Sequence, residues 1–209
     1  MTTNTLGLIN RIPLHVIATA LEQWLFNEHL DVEYIKQQLQ LEITGDLRLT
    51  KATKQVQAYF VNNPILDFLS NHKDELFRVQ KNTKEFQIVA LALMVSKYSF
   101  AYDVVTTLGK LFHIEDVVIT SSIINKLGIK YGHNKNMDNT FYMISPAIHE
   151  AGLFHRPKAG VYEIVPKIEL SPVTLQVWSE AFYAHNPLFS RENSEMLRFE
   201  PFFEFFVLP

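Results

Sequence analysis

Residues 100–165 constrain the fold of this chain more than any other stretch. Tyr102, Val105, Leu108 and Phe112 recur at helical spacing. The connection HIEDVV follows, short enough to hold only a small strand. Thr120 or Ser121 is expected to cap a second helix with Ile123, Ile124, Leu127 and Tyr131 inward. Gly132-His133-Asn134-Lys135-Asn136 reads as a turn. A third helix is expected from about Met137 to Glu150, with Phe141, Ile144 and Ile148 on its inner face. Pro146 lies inside it, lacks a backbone donor, and is expected to kink or divide it. Gly152 falls at the C′ position, where a left-handed backbone ends helices. The run FHRPKAGVYEIV then reads as two short strands around Pro157-Lys158-Ala159-Gly160.

Helix, short strand, helix, helix and basic hairpin is the order of a winged helix-turn-helix. Such a unit sets one helix in a DNA major groove and a charged hairpin on the backbone beside it. Residues 99–170 are therefore expected to form one. Asn134, Lys135, Asn136 and Asn139 stand at the start of its third helix. Amide side chains bind an adenine edge bidentately, and lysine reaches guanine or phosphate. The alternative for the asparagines is a solvated turn, where they serve as caps and tolerate left-handed backbone. Arg156 and Lys158 in the hairpin suit phosphate or minor-groove contact, with Lys167 at its base. A second cluster, Arg48, Lys51 and Lys54, opens an earlier helix, where an ordinary solvated face is the competing explanation.

The rest of the chain reads as helices. Leu14, Ile17, Ala18, Leu21, Trp24 and Leu25 mark one, and Val32, Ile35, Leu39 and Ile43 another, with Asp31 as its cap. A third opens near Thr50, and Pro64 ends it or restarts the chain. A short helix spans residues 65–70, and the polar run NHKDELFRVQKNTK reads as a connection. Thr83 is expected to cap a long helix, EFQIVALALMVSKYS, apolar on most faces and therefore central. Residues 1–98 form a helical bundle in this reading. Residues 171–209 hold a further helix and a segment with five phenylalanines, Phe199 to Phe206. That segment either docks on the chain's own core, the favoured outcome, or meets a partner protein.

Charge and composition narrow the functions. At 47% hydrophobic, the 209 residues can bury a sizeable core. Net charge is −3, and only residues 120–170 are net positive, with six Lys and Arg against four Asp and Glu. Such an excess suits modest, salt-sensitive binding to nucleic acid. The absence of cysteine excludes disulfides, thiolate zinc sites and a cysteine nucleophile. Residues 1–24 make a poor secretion signal, and no apolar run is long enough to span a bilayer. A cytoplasmic location with no membrane association is expected. His149, Glu150 and His155 lack the four-residue spacing of a zinc helix, and the chain has no phosphate loop or nucleophile elbow. No cofactor, metal or enzymatic activity is expected.

Four places together resemble the BrxA component of bacterial BREX phage-defence systems, a small, mostly helical family. They are LRLTKATKQVQAYF, EFQIVALALMVSKYSFAYDVV, ITSSIINKLGIKYGHNKN and the box Glu150 to Leu153. The resemblance covers residues 12–153. It implies non-catalytic DNA binding through helix-turn-helix modules, with other defence-system proteins as partners. It also implies a second such module in the N-terminal half, with Arg48 to Lys54 on its binding face. The chain departs from the family in its last helix, where Phe141, Tyr142 and Met143 replace basic residues, and in its Phe-rich end.

The sequence thus points to a mostly α-helical protein, an N-terminal helical bundle followed by a winged helix-turn-helix with a small β-wing, that binds double-stranded DNA. The competing readings are a protein–protein adaptor built on a winged helix that does not bind DNA, and an RNA-binding helical protein.

Overall fold

The computed structural model describes residues 10–209. The assessment of the N-terminus as a poor secretion signal rests partly on residues 1–9, which lie outside the described residues. The described chain is mostly helical, with one small antiparallel sheet.

Helix α1 (Leu14–Glu22) continues into a π turn over Gln23–Asn27 that stops at Glu28, whose φ is +54°. In α2 (Val32–Gln40), the Asp31 carboxylate accepts the Tyr34 N–H at 3.0 Å, the expected cap. Helix α3 (Asp46–Ala58) opens four residues before Thr50. Gly45 takes φ +95°, a turn that costs glycine little, so the helix starts directly after it. Helix α4 (Leu66–Asn71) follows Pro64, and α5 (Lys73–Val79) lies within the polar run expected to be a connection. It buries only Leu76 and Val79, too few apolar positions to show a period.

Asn82, not Thr83, caps α6 (Thr83–Lys97) by accepting the Glu85 N–H. Every residue from Ile88 to Ser96 is buried, so α6 is the central helix its composition predicts. Helix α7 (Ser99–Phe112) leaves it at 117°. Among the described residues no single helix is long and apolar enough to cross a membrane.

After α7 come β1 (Val117–Ile119), α8 (Thr120–Tyr131), α9 (Lys135–Glu150), β2 (Phe154–Lys158) and β3 (Val161–Ile164). The sheet order is β1-β3-β2, antiparallel throughout, with Val118 opposite Tyr162 and Phe154 opposite Ile164. A bulge between His155 and Lys158 accommodates Pro157, which has no N–H for the ladder. Gly160, at φ +78°, closes the two-residue turn between β2 and β3.

The last helix, α10 (Pro172–His185), lies along α6, and the His185 ring donates from Nε2 to the Val95 carbonyl at 2.8 Å. Two 3-10 segments, Arg191–Phe199 and Pro201–Phe203, complete the chain. Phe202, Phe203, Phe205 and Phe206 are all buried; Phe199 alone is 71% exposed. The Trp178 indole stacks on Phe202 at 4.6 Å between centroids and donates to the Phe202 carbonyl. A Cβ added at Gly109 of α7 would lie 1.9 Å from the Pro201 carbonyl oxygen, so the segment's backbone rests directly on that glycine. The Phe-rich end is therefore core. Self-docking, the favoured of the two expectations, holds for four of the five rings, whose burial on α7 and α10 removes large apolar area from water.

Candidate nucleic-acid interface

The start of α9 is set by Asn134. Its side-chain oxygen accepts the Met137 N–H at 3.0 Å, and its amide nitrogen lies 3.3 Å from the Gly132 carbonyl oxygen. The helix therefore begins at Lys135, two residues before the expected Met137. Capping and turn formation occupy this side chain, as expected for an asparagine ahead of a helix. The turn itself is tight: a Cβ on Gly128 would meet the His133 ring at 2.3 Å.

Helix α9 divides cleanly into two faces. Met137, Thr140, Phe141, Ile144, Ser145, Ala147 and Ile148 are buried. Lys135, Asn136, Asn139, Tyr142 and His149 are exposed, and Met143 and Pro146 are half-buried beside them. The side chains of Lys135, Asn136 and Asn139 make no hydrogen bond or ion pair among the described residues. Pro146 does not divide the helix. It removes the donor that would reach the Tyr142 carbonyl, and Tyr142 stands on the solvent face, where an unpaired backbone carbonyl costs little.

Helix α8 is fastened to α7 by one carboxylate. Asp103 accepts from the Lys130 ammonium at 2.6 Å and from the Tyr131 hydroxyl. Burial and the neighbouring Asp103 hold the Tyr131 phenol well above its ordinary range, so it stays a donor. Lys130 is thereby occupied. Lys126, also on α8, is exposed and has no ion-pair partner among the described residues. The sequence does not single it out, because one lysine on a helix face carries no distinguishing signal.

The hairpin is held against α8 and α9. The Thr120 N–H donates to the Gly160 carbonyl at 3.0 Å, and the Thr120 hydroxyl meets that of Tyr162 at 3.3 Å. Neither Thr120 nor Ser121 caps α8, contrary to expectation: Ile119 occupies the N-cap position and the hairpin turn supplies the contact. Tyr162 is edge-on to Phe141 of α9 and to Phe154, at 6.2 and 5.0 Å between centroids. The Arg156 guanidinium lies 6.0 Å from the Tyr162 ring, which links this cation to the α9 core. Arg156 and Lys158 are exposed and make no ion pair among the described residues. Their neighbours are engaged: His155 lies 3.3 Å from Glu163, and Lys167 lies 3.3 Å from Glu204. Lys167 is thus turned toward the C-terminal segment.

Arg48, Lys51 and Lys54 all lie on the solvent face of α3, one turn apart in succession, without ion-pair partners among the described residues. Helix α3 packs against α2, so these cations form a patch on an element different from α8, α9 and the hairpin. No group of three or more His, Asp or Glu side chains suited to a metal ion occurs among the described residues.

Comparison with protein-family models, characterised proteins and solved structures finds no match to this chain.

Proposed function

We propose that this chain is a non-catalytic DNA-binding protein whose residues 99–170 act as a winged helix-turn-helix on double-stranded DNA. The observation that carries the reading is the arrangement of α7, β1, α8, α9 and the β2–β3 hairpin. Helix α9 turns Lys135, Asn136 and Asn139 to solvent with their polar groups unoccupied, and the hairpin beside it carries Arg156 and Lys158 in the same state. This is the order in which a recognition helix and a phosphate-gripping wing are presented together. The bundle of residues 10–98 supports the unit, and Arg48, Lys51 and Lys54 on α3 provide a secondary contact for the backbone. The resemblance to BrxA supports this reading and suggests a bacterial phage-defence system as its setting.

The test is fluorescence anisotropy with a labelled 20-base-pair duplex in DNA and RNA versions. Micromolar or tighter binding to DNA, with weaker binding to A-form RNA, supports the proposal, because the deep, narrow major groove of RNA does not admit a helix. A preference for RNA would instead favour an RNA-binding bundle.

One observation favours a second reading, a protein–protein adaptor. Val117 and Ile119 of β1 are 48% and 50% exposed, and Ile114 beside them is exposed as well. β1 is an edge strand, and apolar residues on an open edge favour association.

A further inference from the structure

If the DNA reading holds, the solvent face of α9 carries information about which base pairs it meets. We infer that α9 reads A·T base pairs in the major groove, through Asn136 and Asn139 on adenine and through Tyr142, Met143 and Pro146 on thymine methyl groups. The inference rests on the DNA-binding proposal and deepens it.

The composition of that face is the first argument. Successive α-helical residues are 100° apart, so Lys135, Asn139, Tyr142 and Pro146 share one stripe, with Asn136 and Met143 along one side of it. All six are exposed or half-exposed, and the exposed His149 continues the stripe one turn beyond Pro146. Adenine presents an N7 acceptor and an N6 donor in the major groove, a pattern matched by one carboxamide. Guanine presents two acceptors, matched by the donor pairs of Arg or Lys. Helix α9 contains no arginine, and its single lysine stands at the first position. It therefore offers two amides toward adenine and, of the two side chains that commonly read guanine, a single lysine and no arginine.

The freedom of the two amides is the second argument. Asn134 is used up by the cap, whereas Asn136 and Asn139 make no side-chain hydrogen bond among the described residues. Both lie in the N-terminal half of the helix, the part that a helix-turn-helix presents to base edges. The third argument is the apolar half of the stripe. Tyr142 is 46% exposed, and Met143 and Pro146 flank it. Thymine is the natural base with a methyl group in the major groove, and apolar side chains contact it. Asp138, half-buried at the edge of the stripe, lies outside this pattern.

The experiment compares three 20-base-pair duplexes of equal length by anisotropy, built from A·T, G·C and inosine·cytosine pairs. Inosine·cytosine shows the major-groove pattern of G·C but lacks the minor-groove amino group, as A·T does. The expected result is tightest binding to A·T, by roughly five- to a hundredfold, with inosine·cytosine as weak as G·C. Asn139→Ala should reduce that advantage and leave the salt dependence unchanged. The variant keeps the helix, since the side chain is exposed and alanine favours helix. Equal affinity for all three duplexes overturns the inference and leaves the DNA proposal standing. So does inosine·cytosine binding as tightly as A·T, which would move the preference to the minor groove and the wing. No binding to any of the three at low salt removes the DNA proposal itself, and the inference with it.

Discussion

The Glu150 carboxylate, at the end of α9, accepts the backbone N–H of Leu14, the first residue of α1, at 2.7 Å. Its other oxygen lies 3.3 Å from the Arg11 guanidinium. A helix N-terminus has unpaired N–H groups and a partial positive charge, and a carboxylate satisfies both. Pro13, in the N-cap position of α1, supplies no side-chain cap, so a residue 136 positions away does so. The proposed recognition helix is thereby joined to α1. Glu150→Ala should destabilise the protein by about 1–3 kcal/mol, the range for losing a charge-assisted bond to a part-buried donor. The midpoint of urea unfolding reads the change, and an unaltered midpoint would show the contact to be dispensable.

Gly109 should be intolerant of any side chain. A Cβ there sits 1.9 Å from the Pro201 oxygen and 2.8 Å from its carbonyl carbon, and backbone cannot yield as a flexible side chain can. Gly109→Ala is expected to lift the Phe202–Phe203 segment from α7 and cost about 3 kcal/mol. Because Trp178 stacks on Phe202, a red shift of tryptophan emission should accompany the lower melting temperature. Wild-type emission and stability in the variant would contradict the close approach.

His185 should make stability depend on pH. Burial lowers its pKa below the ordinary value of 6.5, only partly offset by the bond to the Val95 carbonyl; Asp103 raises it and Lys130 lowers it at longer range. The unfolded chain then binds more protons than the folded one as pH falls through the histidine range, so stability decreases on acidification. The contribution is complete above the unfolded pKa and is lost below it. Urea midpoints at pH 7.5 and 5.5 should differ in that direction, and His185→Gln should flatten the difference. An equal slope in wild type and variant would assign the effect elsewhere.

The wing prediction concerns binding alone. Arg156→Glu with Lys158→Glu replaces two exposed, unpaired cations. DNA affinity should fall several-fold or more, and the slope of log affinity against log salt should flatten by about 2, near 0.9 for each phosphate no longer neutralised. Thermal stability should fall only slightly, by about 0.5–1 kcal/mol, the range for the exposed contact of Arg156 with Tyr162. Unaltered affinity would remove the hairpin from the interface.

Much of the fold was legible because its signals are local. The apolar run of α6, the period of α7 and the Pro-Lys-Ala-Gly turn of the hairpin each announce themselves within a dozen residues. What was missed depends on distant contacts. Thr120 looks like a cap in sequence, but Gly160 and Tyr162, about forty residues on, claim its N–H and hydroxyl. The polar surface of α5 hides a helix that buries two side chains. Docking of the Phe-rich end depends on Gly109, and a glycine inside a helix hints at close approach without naming what approaches. Within the candidate interface, the sequence identifies the exposed positions of α9 but does not separate Asn134, which caps the helix, from Asn136 and Asn139, which remain free. Lys167 reads as part of the wing in sequence, and its pairing with Glu204 turns it away.

The most direct test of the central claim is the salt dependence of binding to a mixed-sequence duplex. Anisotropy titrations of the intact protein between about 25 and about 200 mM salt would measure it. Micromolar or tighter affinity is expected at the low end, falling with a log–log slope of roughly −3 if Lys135, Arg156 and Lys158 alone meet phosphate, and of roughly −5 if the three α3 cations join them. No binding at the lowest salt would contradict it and leave the exposed apolar edge of β1 as the surface to pursue.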